Sequence, residues 1–290
     1  MRDNEDKIGT KHQNADPPAQ TFQAEAQGAG TGLTFVAPTE YVSLPSGGRF
    51  YPEGHPLFNE DSVEIKMMTT KQEDILTSRA LLKKGVAIDK FIQSLMVKPG
   101  LNPDALLVGD KNAILVAARI SGYGAEYKTQ VQCPVCQERS TFEFDLEQYT
   151  AMDGANIRDL EGVSESGDPH APFNVTLPKT GWTVGCKMLF GSDEKKIQKS
   201  LNNKKKAGLA ESPLTDQLRA MIFSVEGHTK PAMIVQAIEN MPAKDSKYLR
   251  EVYKQLVPNI DMTQEFTCTH CGYEGDMEVP LTADFFWPKS

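Results

Sequence analysis

Four of the five cysteines fall in two C-x-x-C pairs, Cys133/Cys136 and Cys268/Cys271, which share one offset, 268 − 133 = 135. That offset also superimposes the flanking residues. Tyr127, Thr129 and Val131 before the first pair fall on Met262, Gln264 and Phe266 before the second. Phe142, Phe144 and Leu146 after the first pair fall on Met277, Val279 and Leu281 after the second. Apolar and polar residues alternate on both sides of each pair, the period-two pattern of half-buried strands. Each pair therefore sits at the tip of a β-hairpin within a duplicated sequence.

Two knuckles brought face to face supply four thiolates, a complete tetrahedral set for Zn²⁺. The alternative is disulfides or buried free thiols. Met1 through Gln20 is polar, with no apolar signal core, so the expected setting is cytosolic and reducing, which favours metal over disulfide. Four protein ligands leave no open coordination position, so the expected zinc is structural and not catalytic. Cys186 aligns with Ile65 when Val63–Met67 is laid over Val184–Met188, an apolar strand position. His270, inside the second pair, reads as a solvated knuckle residue.

The pattern along the chain predicts an α+β fold: an internally duplicated strand–helices–zinc-hairpin repeat, with helices around a small central sheet and the halves joined by a shared four-cysteine zinc ribbon. Residues 1–33, rich in Gln, Ala, Gly, Asp and Asn, read as a disordered tail. Repeat one spans 34–146 and repeat two 176–290, with 147–175 a linker carrying a short helix near Leu146–Met152. Each repeat opens on a proline turn, Ser43-Leu-Pro-Ser-Gly-Gly48 or Thr176-Leu-Pro-Lys-Thr-Gly181. A strand follows at Val63, Ile65 and Met67, matched by Val184, Cys186 and Met188.

In repeat one, Thr70 and Glu73 have the capping-box form, and the helix they open should stop at Gly85. Ile88, Phe91, Ile92, Leu95 and Met96 lie on one face of a second helix, with Leu218, Met221 and Ile222 as counterparts. A third helix runs from Asp110 to Gly122 and Gly124, matched by Asp245 through Leu256. The second repeat carries an insertion near Asn202–Ser212.

A net charge of −8 and a pI near 5.3 argue against a nucleic-acid surface covering the protein, and no apolar run reaches membrane-span length. Lys195, Lys196, Lys199, Lys204, Lys205 and Lys206 read as a solvated helix face and loop, or as an anion site. No triad, HExxH or phosphate loop surrounds His12, His55, His170 or His228, so no catalytic residues are expected. Asp284-Phe-Phe-Trp287 packs back on the sheet or docks into a partner.

Several pieces in order resemble the baseplate hub protein family of T-even-type contractile-tailed bacteriophages. They are Ser43-Leu-Pro-Ser-Gly-Gly-Arg-Phe-Tyr51-Pro, Met68-Thr-Thr-Lys-Gln-Glu-Asp-Ile-Leu76, Asp110 with Arg119, Tyr123-Gly-Ala-Glu-Tyr127 and Cys133-Pro-Val-Cys136. The second repeat lacks the Gly-rich Phe-Tyr-Pro turn and the Tyr-Gly pair. The resemblance implies a non-enzymatic structural or assembly protein of the hub region. Its partners would be other tail proteins, and it would reside in the virion baseplate and, during assembly, in the host cytoplasm. Phe50, Tyr51, Phe285, Phe286 and Trp287 are the candidate partner contacts, or equally core. The competing class is a nucleic-acid-binding zinc-ribbon regulator using Lys195–Lys206.

Overall fold

The computed structural model describes residues 36–208, 210, 212–280 and 283–286, and the described residues from Ala37 onward form one compact unit. The sequence-read tail, 1–33, lies outside the described residues. Strand β1 (Thr39–Ser43) pairs antiparallel with β2 (Ser62–Lys66), setting buried Val42 opposite buried Val63. Helices α1 (Thr70–Thr77), α2 (Arg79–Lys84) and α3 (Ala87–Leu95) follow.

The single helix expected between Thr70 and Gly85 is two, because Ser78 adopts an extended ψ of 105°. Its capping box also lies one residue earlier than expected. Thr69 is the cap, and Gln72 Oε1 accepts the Thr69 N–H at 3.1 Å. Packing selects Gln72: it is buried and its Nε2 reaches Ser94 Oγ of α3 at 3.3 Å. Glu73 instead accepts the Tyr123 hydroxyl at 3.0 Å. Gly85 ends α2 in the left-handed conformation, as expected, and α3 buries Phe91, Ile92 and Leu95.

Helix α4 (Val108–Tyr123) leads into the first cysteine hairpin, β3 (Glu126–Gln132) and β4 (Arg139–Asp145). The segment 147–175 is not a bare linker. It holds β5 (Thr150–Met152), β6 (Val163–Asp168) and most of β7 (Ala171–Thr176), and no helix forms at Leu146–Met152. The signal was the alternation of Ala171, Phe173 and Val175, all buried, within a run whose Asp, Gly and Pro content points to a loop. With β8 (Thr183–Cys186) and, later, β9 (Ile222–Val225), these strands build a four-stranded sheet in the order β6-β7-β8-β9, the largest in the described fold. The cysteine hairpins are separate two-stranded sheets and not a central one.

Helix α5 (Gly191–Lys206) contains the whole lysine run, which is therefore helical and not a loop. Helix α6 (Pro213–Met221) buries Leu218 and Met221, whereas Ile222 begins β9. Helices α7 (Pro231–Glu239) and α8 (Ala243–Leu256) precede β10 (Asn259–Asp261) and the second cysteine hairpin, β11 (Thr263–Thr267) and β12 (Glu274–Glu278).

Registers recur between the two parts of the chain. Val175 faces Val184 as Val42 faces Val63, and Thr263 faces Glu278 as Lys128 faces Glu143. The parts interlock through β5, which pairs with β10, and through Val108 N–H to Leu189 O (3.0 Å) and Gly191 N–H to Leu106 O (2.9 Å). Gly109 lies so close to Pro258 that a Cβ would meet its carbonyl oxygen at 2.1 Å, so α4 needs glycine there.

Candidate metal centre

The two hairpin tips are built alike. The first cysteine of each donates its N–H to a carbonyl five residues on, Cys133 to Glu138 (3.0 Å) and Cys268 to Tyr273 (2.8 Å). Its own carbonyl accepts from Gln137 N–H or Gly272 N–H, each at 3.0 Å. Gln137 and Gly272 turn the chain back with φ of 60° and 71°. These bonds fold each C-x-x-C so that both sulfurs face the same side.

All four sulfurs lie within 4.8 Å of one another, and the cross-knuckle pairs Cys133–Cys271 and Cys136–Cys268 are each separated by 3.7 Å. A tetrahedron with metal–sulfur arms of about 2.3 Å has edges of about 3.8 Å, so the donor set fits such an ion. Cys133 and Cys268 are buried, Cys136 is half-buried and Cys271 is exposed. Burial raises the Cys133 thiol, but the N–H groups of Cys136 and Val135 and the neighbouring thiols bring it down to about 7. The Cys271 and His270 N–H groups likewise lower Cys268. Cys136 is pushed up to about 12: the Glu138 N–H lowers it, and burial with the three other thiols outweighs that. A divalent cation among these sulfurs would favour the thiolate form of all four.

Further contacts hold the hairpins in place. The Gln264 side-chain amide bridges them, its Oε1 accepting Asp145 N–H at 3.1 Å and its Nε2 donating to Asp145 O at 2.6 Å. Phe142 and Phe266 meet edge to face at 5.3 Å. Tyr127 packs against Phe285 at 5.2 Å and donates its hydroxyl to Pro280 O at 3.3 Å. Beneath them, fully buried Arg119 of α4 donates to three carbonyls, those of Phe285 (2.8 Å), Gly124 (2.6 Å) and Glu126 (3.0 Å). Burial lowers its pKa, and the bonds offset that cost.

At the other end of α4, buried Asp110 accepts from Ser46 N–H (3.0 Å), Ser46 Oγ (2.6 Å) and Tyr51 OH (2.8 Å). Tyr51 OH in turn accepts the Leu107 N–H at 3.0 Å. Among the residues that carried the family resemblance, Ser46, Tyr51 and Asp110 thus share one buried network, and Arg119 with Gly124 and Glu126 forms a second; the pairing of Asp110 with Ser46 and Tyr51 has no local sequence pattern.

Of the expected site residues, Cys133, Cys136, Cys268 and Cys271 come together. Cys186 is buried in β8 outside that cluster, its thiol pushed up to about 12 by burial, and His270 is not part of the cluster. Tyr51, Phe285 and Phe286 are core, Phe50 is half-buried, and Trp287 lies outside the described residues. Phe285 and Phe286 pack on Tyr127 and Phe91, which takes them out of reach of a partner. Half of the lysine run is ion-paired among the described residues. Lys195 pairs with Asp89 and Asp104, Lys196 with Asp193 and Lys204 with Asp216.

Fold and site together define a mixed helix-and-sheet protein with a four-thiol cluster able to hold a metal ion. Residues 37–163, just under half of the chain, match the family model described as T4 bacteriophage base plate protein. No curated protein and no solved structure matches the chain.

Proposed function

We propose that the chain is a non-enzymatic structural or assembly protein of the hub region of a phage tail baseplate, stapled by one Zn²⁺ and binding other tail proteins. The observation that carries the baseplate assignment is the family match over residues 37–163. The match covers the Ser43–Pro52 turn, α1, α4 and the first knuckle; Asp110 ties the turn to α4, Tyr123 ties α4 to Glu73 of α1, and Arg119 ties α4 to the start of β3.

Cys133, Cys136, Cys268 and Cys271 would hold the zinc, which supplies cross-linking between two distant hairpins and no chemistry on a substrate. The chain's own residues set the knuckle geometry and position the hairpins. The recurring registers and turns support a duplicated ancestry, with the ion placed between the two copies. The protein would be made in the host cytoplasm and carried on the virion baseplate.

Affinity capture of the tagged full chain from infected cells, followed by mass spectrometry, tests the assignment. Recovery of tail-hub proteins at near-stoichiometric yield is the expected result. Recovery of none, together with tight and steeply salt-dependent DNA or RNA binding by the pure protein, would favour the regulator class instead.

A further inference from the structure

Two open clefts of about 840 and 650 Å³ adjoin at a shared wall formed by Arg49, Phe50, Pro169 and Pro172. Together they make an open trough between the Ser43–Pro52 turn and the tip of the β6–β7 hairpin. Its floor is rigid. Arg49 donates from Nε to Ser46 O at 3.0 Å and from Nη2 to Asp153 O, and its guanidinium lies over the Phe50 ring at 5.6 Å. Phe50 in turn meets Phe173 of β7 edge to face at 5.8 Å.

Two independent features say what the trough takes. The first is charge. Asp153, Glu165 and Asp168 line the larger cleft, and none of them joins an ion pair among the described residues. Arg49, the cation beside them, is committed to two carbonyls. In the smaller cleft Lys187 and Asp193 neutralise each other at 2.9 Å, leaving aromatic and proline surface.

The second feature is a strand edge. β6 is the outer strand of the four-stranded sheet. Thr176 N–H donates to Gly162 O at 2.7 Å, so hydrogen-bonded positions fall at every second residue from there. The N–H and C=O of Glu165 therefore point away from β7, onto the open edge, and Glu165 also lines the larger cleft.

We propose that this trough seats an extended segment of another protein, added as a strand along β6. Basic side chains would lie over Asp153 and Glu165, and apolar or proline side chains against Phe50, Pro169 and Pro172. Main-chain pairing supplies affinity in this mode and alternate side chains supply specificity. The proposal rests on the reading of the chain as a protein that binds other tail proteins, and it locates the surface.

The test uses the full chain and three sets of labelled eight-residue peptides, read by fluorescence anisotropy. The first set alternates Lys or Arg with Val, Pro or Phe. The second replaces each Lys and Arg by Glu, and the third carries N-methyl groups on alternate amides. The first set should bind, the other two at least tenfold more weakly. Asp153→Lys with Glu165→Lys, both at exposed positions, should weaken the first set at least tenfold without changing thermal stability, and Phe50→Ala should weaken it independently. Equal binding of the acidic set, binding untouched by the charge reversals, or no binding by any set would overturn the proposal. So would self-association abolished by the same reversals, because the trough would then take a second copy. Loss of the trough with tail proteins still captured from infected cells would leave the baseplate reading standing.

Discussion

Asp110 and Asp245 occupy the same position in α4 and α8, and each clamps a proline turn from the start of its own part of the chain. Asp110 holds Ser46 and Tyr51; Asp245 accepts from Lys179 N–H (2.8 Å), Thr180 N–H (2.9 Å) and Thr180 Oγ1 (2.8 Å). Both carboxylates are fully buried. Their surroundings differ: Ser46 and Tyr51 are buried, whereas Lys179 is exposed and Thr180 half-buried.

Removing Asp110 strands donors that water cannot reach, so Asp110→Ala should cost about 3 kcal/mol, near the upper end for loss of a buried acceptor. Asp245→Ala should cost about half that, because solvent can rehydrate the Lys179 and Thr180 donors. Urea unfolding of both variants checks the order. Equal costs would mean that the exposure of the two turns does not govern the clamps.

The shared cluster predicts one metal ion per chain, measured by elemental analysis of the purified protein. Two ions, or none with the fold intact, would sink the shared site. Cys268→Ser should release the ion and speed hydrogen exchange at β3–β4 amides, 135 residues away in sequence, because metal-binding energy here is folding energy. Exchange confined to β11–β12 would show that the knuckles are independent.

The knuckles, the Gly85 stop and the buried face of α3 were legible because each is fixed by residues a few positions apart. Two overlapping capping boxes, Thr69/Gln72 and Thr70/Glu73, could not be separated locally; burial of Gln72 against Ser94 decides between them. Strands β6 and β7 were missed because Gly167, Asp168 and Pro169 dominate their turn. The lysine run reads as part helix face and part loop because its partners Asp89, Asp104 and Asp216, which pair with Lys195 and Lys204, come from other elements. The trough joins residues from six separate stretches of the chain, and no local pattern encodes that.

Gln137 and Gly272 take the same left-handed backbone, but only one of them is glycine. A Cβ at Gly272 would meet nothing within 4 Å, so Gly272→Ala measures the backbone cost alone, about 1 kcal/mol. Gln137→Gly relieves that strain and should be neutral or stabilising by up to about 1 kcal/mol, the added unfolded-state entropy offsetting part of the gain. Thermal unfolding of the two single variants reads the signs directly. Destabilisation by Gln137→Gly would assign the Gln137 side chain a role that its backbone position does not.

Asp193 predicts a pH dependence. Burial raises its carboxyl, but Lys187 at 2.9 Å, Lys196 at 3.1 Å and the Phe190 N–H bring it below the ordinary value. Lys187 is the stronger partner, since Lys196 is 75% exposed and screened by solvent. With the folded value depressed, the stabilisation is present above the unfolded carboxyl's pKa and is lost as pH falls through the lower folded value. Asp193→Asn should therefore cost about 1–2 kcal/mol at pH 7, as expected for a partly buried charged hydrogen bond. The gap between parent and variant in urea unfolding should narrow as pH drops below roughly 4, where the unfolded carboxyl protonates. A gap that stayed constant to the acid limit of folding would show that Asp193 acts through shape and capping, and not through its charge.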